Sequence, residues 1–413
     1  LAAADITTAM RLIAALSSYW LLRGVRYEGV APARQVLAVL GPNPPEGMEE
    51  EFALCVMAVV STLSDAEEFA AHVAAAARVV EAMNRLARRF PVLTLLWAPF
   101  AGVPDPGLDT MVAVEEFLIG HEDPWYRALA HLGVGFQGWL VRADAELGQR
   151  EMEIAYDGFR RQGDRWGMIT TLNVLADLAD YRGELGDAVA LLGRALVLAE
   201  ELDSALDMAE LLCNRAAYSL RAGDHVAATA FCERAVRLSR RAGAPETLAM
   251  AHLGLGDAAR LRGDLATALD LCEQALAECP IGWFSSNSTR SAVLVALGRI
   301  AVAEGDAARA RTYFGDAATT ERAAMRFPLA GAVTAVAAAG LALLEGDPRR
   351  AAVLLGAAEA LRGSPLDGPD ASDAAATARA ALGDQAYATA VAEGSALSRE
   401  AAIDGVISYV NPA

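Results

Sequence analysis

A motif of about forty residues recurs through the second half of the chain and constrains its fold more than any other feature. Two copies read "LRAGDHVAATAFCERAV" (220–236) and "RLRGDLATALDLCEQAL" (260–276). Five copies align on Gly183, Gly223, Gly263, Gly305 and Gly346, which are spaced by 40, 40, 42 and 41 residues. Every copy has alanine five and twelve residues after its glycine, an agreement that chance does not explain even in a chain with 91 alanines. The sequence is therefore a repeat array.

The pattern within each copy is that of a helical hairpin. A glycine between two helical stretches adopts the turn conformation that a Cβ would strain. An aspartate that can cap the second helix follows four of these glycines, at Asp224, Asp264, Asp306 and Asp347. One hairpin cannot bury its apolar stripe alone, so neighbouring hairpins must stack. We therefore predict an all-α fold, a right-handed superhelical solenoid of stacked helical hairpins.

The repeat is clear over residues 166–363 and fades on both sides. Residues 145–167 resemble a decayed copy with Gly148 as its turn glycine, and residues 17–40 a further helix pair. The stretches 98–107 and 362–370, rich in Pro and Gly, indicate breaks, and a final helix pair follows the second. We predict degenerate helical repeats over 1–100 and 101–165, five repeats over 166–363, and a linker with capping helices over 364–413.

Composition excludes several classes of function. All 35 basic residues are arginine, so the chain contains neither the lysine of a phosphate-binding loop nor an amine for Schiff-base chemistry. The formal net charge of -18 argues against direct contact with nucleic acid, whose phosphates require clustered positive charge.

The same composition indicates where the chain resides. Its five cysteines lie in helical patterns without secretory spacing, and no signal segment is present, so we expect buried thiols in a cytoplasmic protein. The uncharged stretch 327–344 contains Pro328 and is mostly alanine and glycine, which makes it a poor membrane helix. Because the chain opens at Leu1 rather than methionine, we expect it to be part of something longer.

No motif predicts catalysis, a metal or a cofactor. "GVGFQG" at 133–138 has the spacing of a dinucleotide-binding loop, but it follows a helical stretch rather than a strand, which favours close helix packing. The five histidines lack metal-binding spacing, and Cys232 and Cys272 occupy the same repeat position, as core thiols do. We therefore predict no catalytic residues, no metal site and no cofactor.

The repeat resembles the tetratricopeptide repeat in its helix-turn glycine and the two alanines of its second helix. The resemblance implies that the first helix of each pair lines a concave groove. Carrying the family's groove positions onto this sequence gives nine polar candidates: Asn173, Asp177, Asp180, Tyr181, Glu210, Arg221, Asp257, Arg260 and Arg299. In the fifth repeat the same positions are apolar, with Val333, Val336 and Leu343. The groove is thus expected to run from acidic, through mixed, to apolar.

A wider resemblance rests on "YWLLRG" (19–24), residues 162–196, "AAVLLGAAEALRG" (351–363) and residues 378–403. Together they resemble the C-terminal helical region of actinobacterial AfsR-like and LuxR-like transcriptional regulators. These regulators join a DNA-binding module, a signalling NTPase module and a tetratricopeptide sensor.

The resemblance implies a non-enzymatic sensor or autoinhibitory region that binds a protein, peptide or small-molecule effector and controls adjacent NTPase and DNA-binding modules. Two alternatives stay open at this point. The chain could be a free-standing scaffold that docks peptides in its groove, or an enzyme with an unrecognised site in residues 1–165.

Overall fold

The computed structural model describes residues 3–60, 69–83, 89–90, 119–141, 144–279, 284–324, 328–363 and 368–411. Over these residues the chain forms nineteen α-helices and no strand, which confirms the predicted all-α solenoid. The first nine helices are α1 (Ala3–Leu22), α2 (Val30–Leu40), α3 (Glu49–Val60), α4 (Ala70–Met83), α5 (Pro124–Phe136), α6 (Ala145–Gln162), α7 (Arg165–Tyr181), α8 (Leu185–Glu201) and α9 (Ala205–Arg221). The next ten are α10 (His225–Ala242), α11 (Pro245–Leu261), α12 (Leu265–Glu278), α13 (Phe284–Ala303), α14 (Ala307–Ala324), α15 (Pro328–Leu344), α16 (Pro348–Arg362), α17 (Pro369–Leu382), α18 (Asp384–Ser395) and α19 (Arg399–Val410). A 3₁₀ helix (Arg26–Gly29) and a π-helical segment (Gln137–Val141) complete the elements.

Each repeat is a hairpin of two packed helices, from α7–α8 through α15–α16. The five turn glycines have φ between 78° and 83°, the left-handed conformation that favours glycine. The predicted aspartate caps form, with carboxylate-to-amide distances of 2.8–3.2 Å, at Asp224, Asp264, Asp306 and Asp347. The sequence therefore encodes the ends of these helices locally.

The repeated alanines lie in the core of the stacked hairpins. All ten are at most 1% exposed: Ala188, Ala195, Ala228, Ala235, Ala268, Ala275, Ala310, Ala317, Ala351 and Ala358. In the fourth repeat the first helix carries Gly298, and the second helix places the large side chain of Phe314 against it. A Cβ added at Gly298 would lie 2.2 Å from the fully buried ring of Phe314. Small residues thus allow the two helices of a hairpin to approach closely.

Successive hairpins stack so that their first helices lie side by side. α9 contacts α11, α11 contacts α13, and α13 contacts α15. We call α7, α9, α11, α13 and α15 the inner helices, and the surface they share the inner face.

The region before the repeats departs from one prediction. Gly148 lies within α6, packed against Trp139, so its assignment as a turn glycine is wrong. The glycine that ends this helix is Gly163, with φ of 70°. The small residue at 148 is instead required by the close approach of the tryptophan.

The "GVGFQG" stretch belongs to α5 and the π-helical segment, as the packing interpretation predicts. Gly135 faces Met152, and Gly138 faces Leu147. The helix pair predicted over 17–40 corresponds to α1 and α2. The Pro/Gly-rich stretch at 98–107 lies outside the described residues.

Three helices, α17–α19, follow the repeats, where the sequence predicts a final pair. α18 crosses α16 at Gly356 and Gly394, so closely that a Cβ on either glycine would lie 2.1 Å from a carbonyl oxygen of the other helix. α17 packs against α15 and α16, and α19 packs against α14, α15 and α16.

Within the described part of the chain, none of the helices has the length and apolar character needed to span a bilayer. The uncharged stretch that begins at Pro328 forms α15, whose alanines pack inside the stack. All five cysteines are buried. Burial raises the pKa of Cys232 and of Cys272 to about 12, so both remain thiols at neutral pH.

Candidate functional site

The first part of the inner face is a ladder of polar contacts between α7 and α9. Each contact joins residues 41 apart: Asn214 to Asn173 at 2.8 Å, Tyr218 to Asp177 at 3.0 Å, and Arg221 to Asp180 at 2.5 Å. Four of the candidates predicted from the sequence are therefore engaged with a neighbouring repeat. They connect the two inner helices, and their side chains are partly exposed.

The ladder contains a carboxyl group with an unusual titration. Burial raises the pKa of Asp177 to about 7, although the hydrogen bond from Tyr218 lowers it, and the charge of Asp180 raises it further. Burial and the neighbouring carboxylates also raise the pKa of the Tyr218 hydroxyl. Asp177 therefore changes charge near neutral pH.

One edge of the inner face is contacted by the N-terminal helices. Arg26, in the 3₁₀ helix, forms an ion pair with the candidate Glu210 at 3.1 Å. Gly24 lies against Ser204, which caps α9, and has φ of 64°. The segment between α1 and α2 thus covers the start of α9.

The opposite edge is contacted by Arg362, the last residue of α16. Arg362 lies above the ring of the candidate Tyr181, with its guanidinium carbon 5.8 Å from the ring centroid, and its Nη2 is 3.4 Å from the Asp180 carbonyl oxygen. The Tyr181 ring also packs edge-on against Trp139, with centroids 4.9 Å apart. These contacts bring α5–α7 next to the end of α16.

Further along this edge, two candidate arginines hold one carboxylate. The Arg260 guanidinium donates two hydrogen bonds to Asp370, at 2.9 and 3.0 Å, and a third to Asp257 at 3.2 Å. Arg299 Nε lies 3.5 Å from the second Asp370 oxygen. Burial alone would raise the pKa of Asp370, but the charges of Arg299 and Arg260 outweigh it and hold that pKa below its usual value.

A cavity of about 410 Å³ adjoins this cluster. Inner helices α11, α13 and α15 line one side of it, and α17 lines the other. Arg260 and Arg299 form its polar end, and apolar residues form the rest of the inner wall: Val302, Ala303, Val336, Ala337, Gly340, Leu343 and Leu344. The structure therefore combines candidates of the third and fourth repeats with two apolar residues of the fifth, Val336 and Leu343.

The sequence analysis did not identify Asn214, Tyr218 and Asp370, which form hydrogen bonds with the candidate residues. Asn214 and Tyr218 are one position beyond the repeat equivalents of Asn173 and Asp177, so a search at a spacing of 41 would have found them. Asp370 lies 110 residues from Arg260, and no periodic pattern links the two.

Within the described ranges, no group of three or more His, Cys, Asp or Glu side chains is placed to hold a metal ion. What the inner face offers is a set of charge pairs beside an apolar cavity. Such a surface is suited to binding.

Residues 207–278, which form most of α9 and the whole of α10–α12, match the family model of the tetratricopeptide repeat. The match covers the part of the chain in which the repeat is most regular. It establishes a tetratricopeptide-type helical repeat, a fold suited to protein interaction. No curated protein matches the chain.

Several solved structures resemble this one. The APC/C hetero-tetramer Cut9–Hcn1 gives a TM-score of 0.52 at 15% identity, over 84% of this chain and 59% of that chain. A Rap protein complexed with competence and sporulation factor gives 0.50 at 12% identity, over 83% of this chain and 98% of that one.

A signal transduction ATPase with numerous domains (STAND), which has a tetratricopeptide repeat sensor and comes from Pyrococcus horikoshii, gives 0.46 at 11% identity. That match covers 80% of this chain and 52% of the STAND chain, so this chain spans about half the length of that protein. At these identities the likenesses concern the fold alone.

Proposed function

We propose that this chain is the effector-sensing, autoinhibitory region of a transcriptional regulator, and that it controls adjacent NTPase and DNA-binding modules without being an enzyme itself. The observation that carries the proposal is the ion-pair cluster on the inner face, where Arg260 and Arg299 hold Asp370 of the C-terminal segment. A groove that binds a segment of its own chain can exchange that segment for an effector.

Three features support this role. The tetratricopeptide-type repeat is suited to binding other proteins. The sequence resembles the C-terminal region of AfsR-like regulators over its repeat and its last helices. A Rap protein of similar fold is complexed with competence and sporulation factor, and we propose an effector of comparable role here.

The first test concerns the modules. The coding sequence that flanks this chain should encode a phosphate-binding loop with its lysine, and a DNA-binding module, either in the same reading frame or beside it. A flanking sequence without either would favour the free-standing scaffold instead.

The second test concerns control. Nucleotide hydrolysis by the purified NTPase module should change when this chain is added or fused to it. Arg260→Glu, which places a negative charge beside Asp370, should abolish that change, whereas Arg349→Glu on the outer surface should preserve it. Hydrolysis that is unaffected by the chain, or equally affected by both variants, would contradict the proposal.

A further inference from the structure

The ion-pair cluster has the geometry of an occupied carboxylate site. Both oxygens of Asp370 accept hydrogen bonds from the two terminal nitrogens of Arg260, and Arg299 approaches the same carboxylate from the neighbouring inner helix. A bidentate guanidinium contact is the strongest geometry by which a side chain recognises a carboxylate. The side chains of Arg260 and Arg299 are only 10% and 18% exposed, so both charges require a partner.

α17, the helix that contains Asp370, buries little of its surface against the repeats. Its buried side chains are those of Ala374 and Ala378, and Ala371, Ala375 and Leu382 pack against the core only in part. Burial of a few alanines and part of one leucine contributes little free energy. The Asp370 side chain itself is 32% exposed and can be reached from solvent. An element with so few buried contacts opens more readily than the repeats beneath it.

Space for a larger ligand remains beside this helix. The cavity of about 410 Å³ continues from the two arginines along the apolar wall of Val302, Val336 and Leu343. A carboxylate at the arginines and an apolar side chain against this wall would occupy the cavity together. α17 places Asp370 at the first position and lines the rest of the cavity with Asp373, Ala374 and Thr377.

We infer that Arg260 and Arg299 form a carboxylate-binding site for an acidic peptide segment of a partner protein, and that Asp370 fills this site until the partner displaces it. The inference rests on the proposed function and identifies the ligand class of its groove. The acidic residue of the ligand binds the two guanidinium groups, and an apolar neighbour lies against Val336 and Leu343. Because the ligand and Asp370 need the same donors, ligand binding releases α17 from the inner face.

The test uses the full chain and a fluorescent peptide of residues 362–377, which contains Asp370. Its binding is measured by fluorescence anisotropy to the wild type and to Asp370→Asn, in which the competing carboxylate is absent. We expect Asp370→Asn to bind the peptide at least about tenfold more tightly, since a charge-assisted bidentate contact has that effect or more. Arg260→Gln, introduced into Asp370→Asn, should reduce the affinity at least about tenfold.

Three controls isolate the site. A peptide that carries Asn in place of Asp370 should bind weakly to every variant. Arg299→Gln serves as a second arginine variant if Arg260→Gln fails to fold. Glu393→Gln breaks an exposed ion pair with Arg349, whose N–O distance is 2.7 Å, and should bind the peptide as the wild type does.

Hydrogen exchange provides the second measurement. Amides of α17 should exchange faster in Asp370→Asn than in the wild type, and a saturating concentration of the peptide should produce the same change in the wild type. Unchanged protection of α17 together with unchanged peptide affinity would overturn the inference. Peptide binding as expected, but without any effect on a neighbouring NTPase module, would leave the site intact and refute the regulatory function instead.

Discussion

At the scale of single residues, the hairpins depend on side chains too small to separate their helices. Ala235 lies at the contact between α10 and its neighbours and is fully buried, whereas Ala230 on the same helix is exposed. Ala235→Leu should therefore overpack the hairpin and lower the free energy of unfolding by about 1–3 kcal/mol. Ala230→Leu should change it by less than about 0.5 kcal/mol, as surface substitutions usually do. Urea unfolding followed by circular dichroism measures both, and equal effects would show that the aligned alanines are not the packing positions.

Asp177 makes the stability of the inner ladder depend on pH. Its pKa is about 7 in the folded chain, against an ordinary value of 3.8, because burial favours the protonated form. Because the pKa is higher in the folded chain, the contribution of Asp177 to the free energy of unfolding is fully present below pH 3.8. It is lost as the pH rises through about 7. Asp177→Asn should remove this loss and unfold at a higher urea concentration than the wild type at pH 8.

The control for this prediction is Asp203→Asn, which alters an aspartate whose side chain is 69% exposed. We expect its unfolding midpoint to follow the wild type between pH 5 and pH 8. If Asp177→Asn also follows the wild type over that range, Asp177 does not titrate there.

At the scale of helices, α16 and α18 cross with their backbones in contact, because each helix has a glycine at the crossing point. A methyl group at Gly356 would meet the Val391 carbonyl oxygen at 2.1 Å and the Ser395 amide at 2.8 Å, and backbone atoms cannot move aside. Gly356→Ala should cost about 3 kcal/mol, the upper end for overpacking. Gly193, within α8, has no atom near its added Cβ, so Gly193→Ala should stabilise the chain by about 0.5–1 kcal/mol. Thermal unfolding distinguishes the two, and a stabilising Gly356→Ala would contradict the observed crossing.

The helical hairpins could be predicted because their determinants are local. A turn glycine, the aspartate that follows it and two alanines specify one hairpin, and each can be recognised within about twenty residues of the others. The prediction for Gly148 was wrong because glycine is found at close helix contacts as well as at turns. Here it leaves room for Trp139. Asp370 could not be predicted as a partner of Arg260, since their contact depends on how the whole stack curves rather than on any single repeat.

At the scale of the whole molecule, the end of α16 and the start of α17 contact repeats that are not their neighbours in the stack. In a simple array each hairpin contacts only its neighbours. Here Arg362 contacts Asp180, 182 residues away, and Asp370 contacts Arg260, 110 residues away. The π-helical segment that precedes α6 also touches α15. We therefore expect these contacts to constrain the curvature of the superhelix between its first and last repeats.

Removing these contacts should loosen the superhelix without unfolding its hairpins. The double variant Arg362→Ala, Asp370→Asn loses the cation over Tyr181 and the carboxylate between Arg260 and Arg299. We expect a larger radius of gyration in small-angle X-ray scattering and an unchanged helix content in circular dichroism, because the hairpin cores are not altered. The matched control, Arg349→Ala with Glu393→Gln, removes an exposed ion pair and should keep the wild-type radius. If all three proteins had the same radius of gyration, stacking of the hairpins alone would set the curvature, and Arg362 and Asp370 would have no part in it.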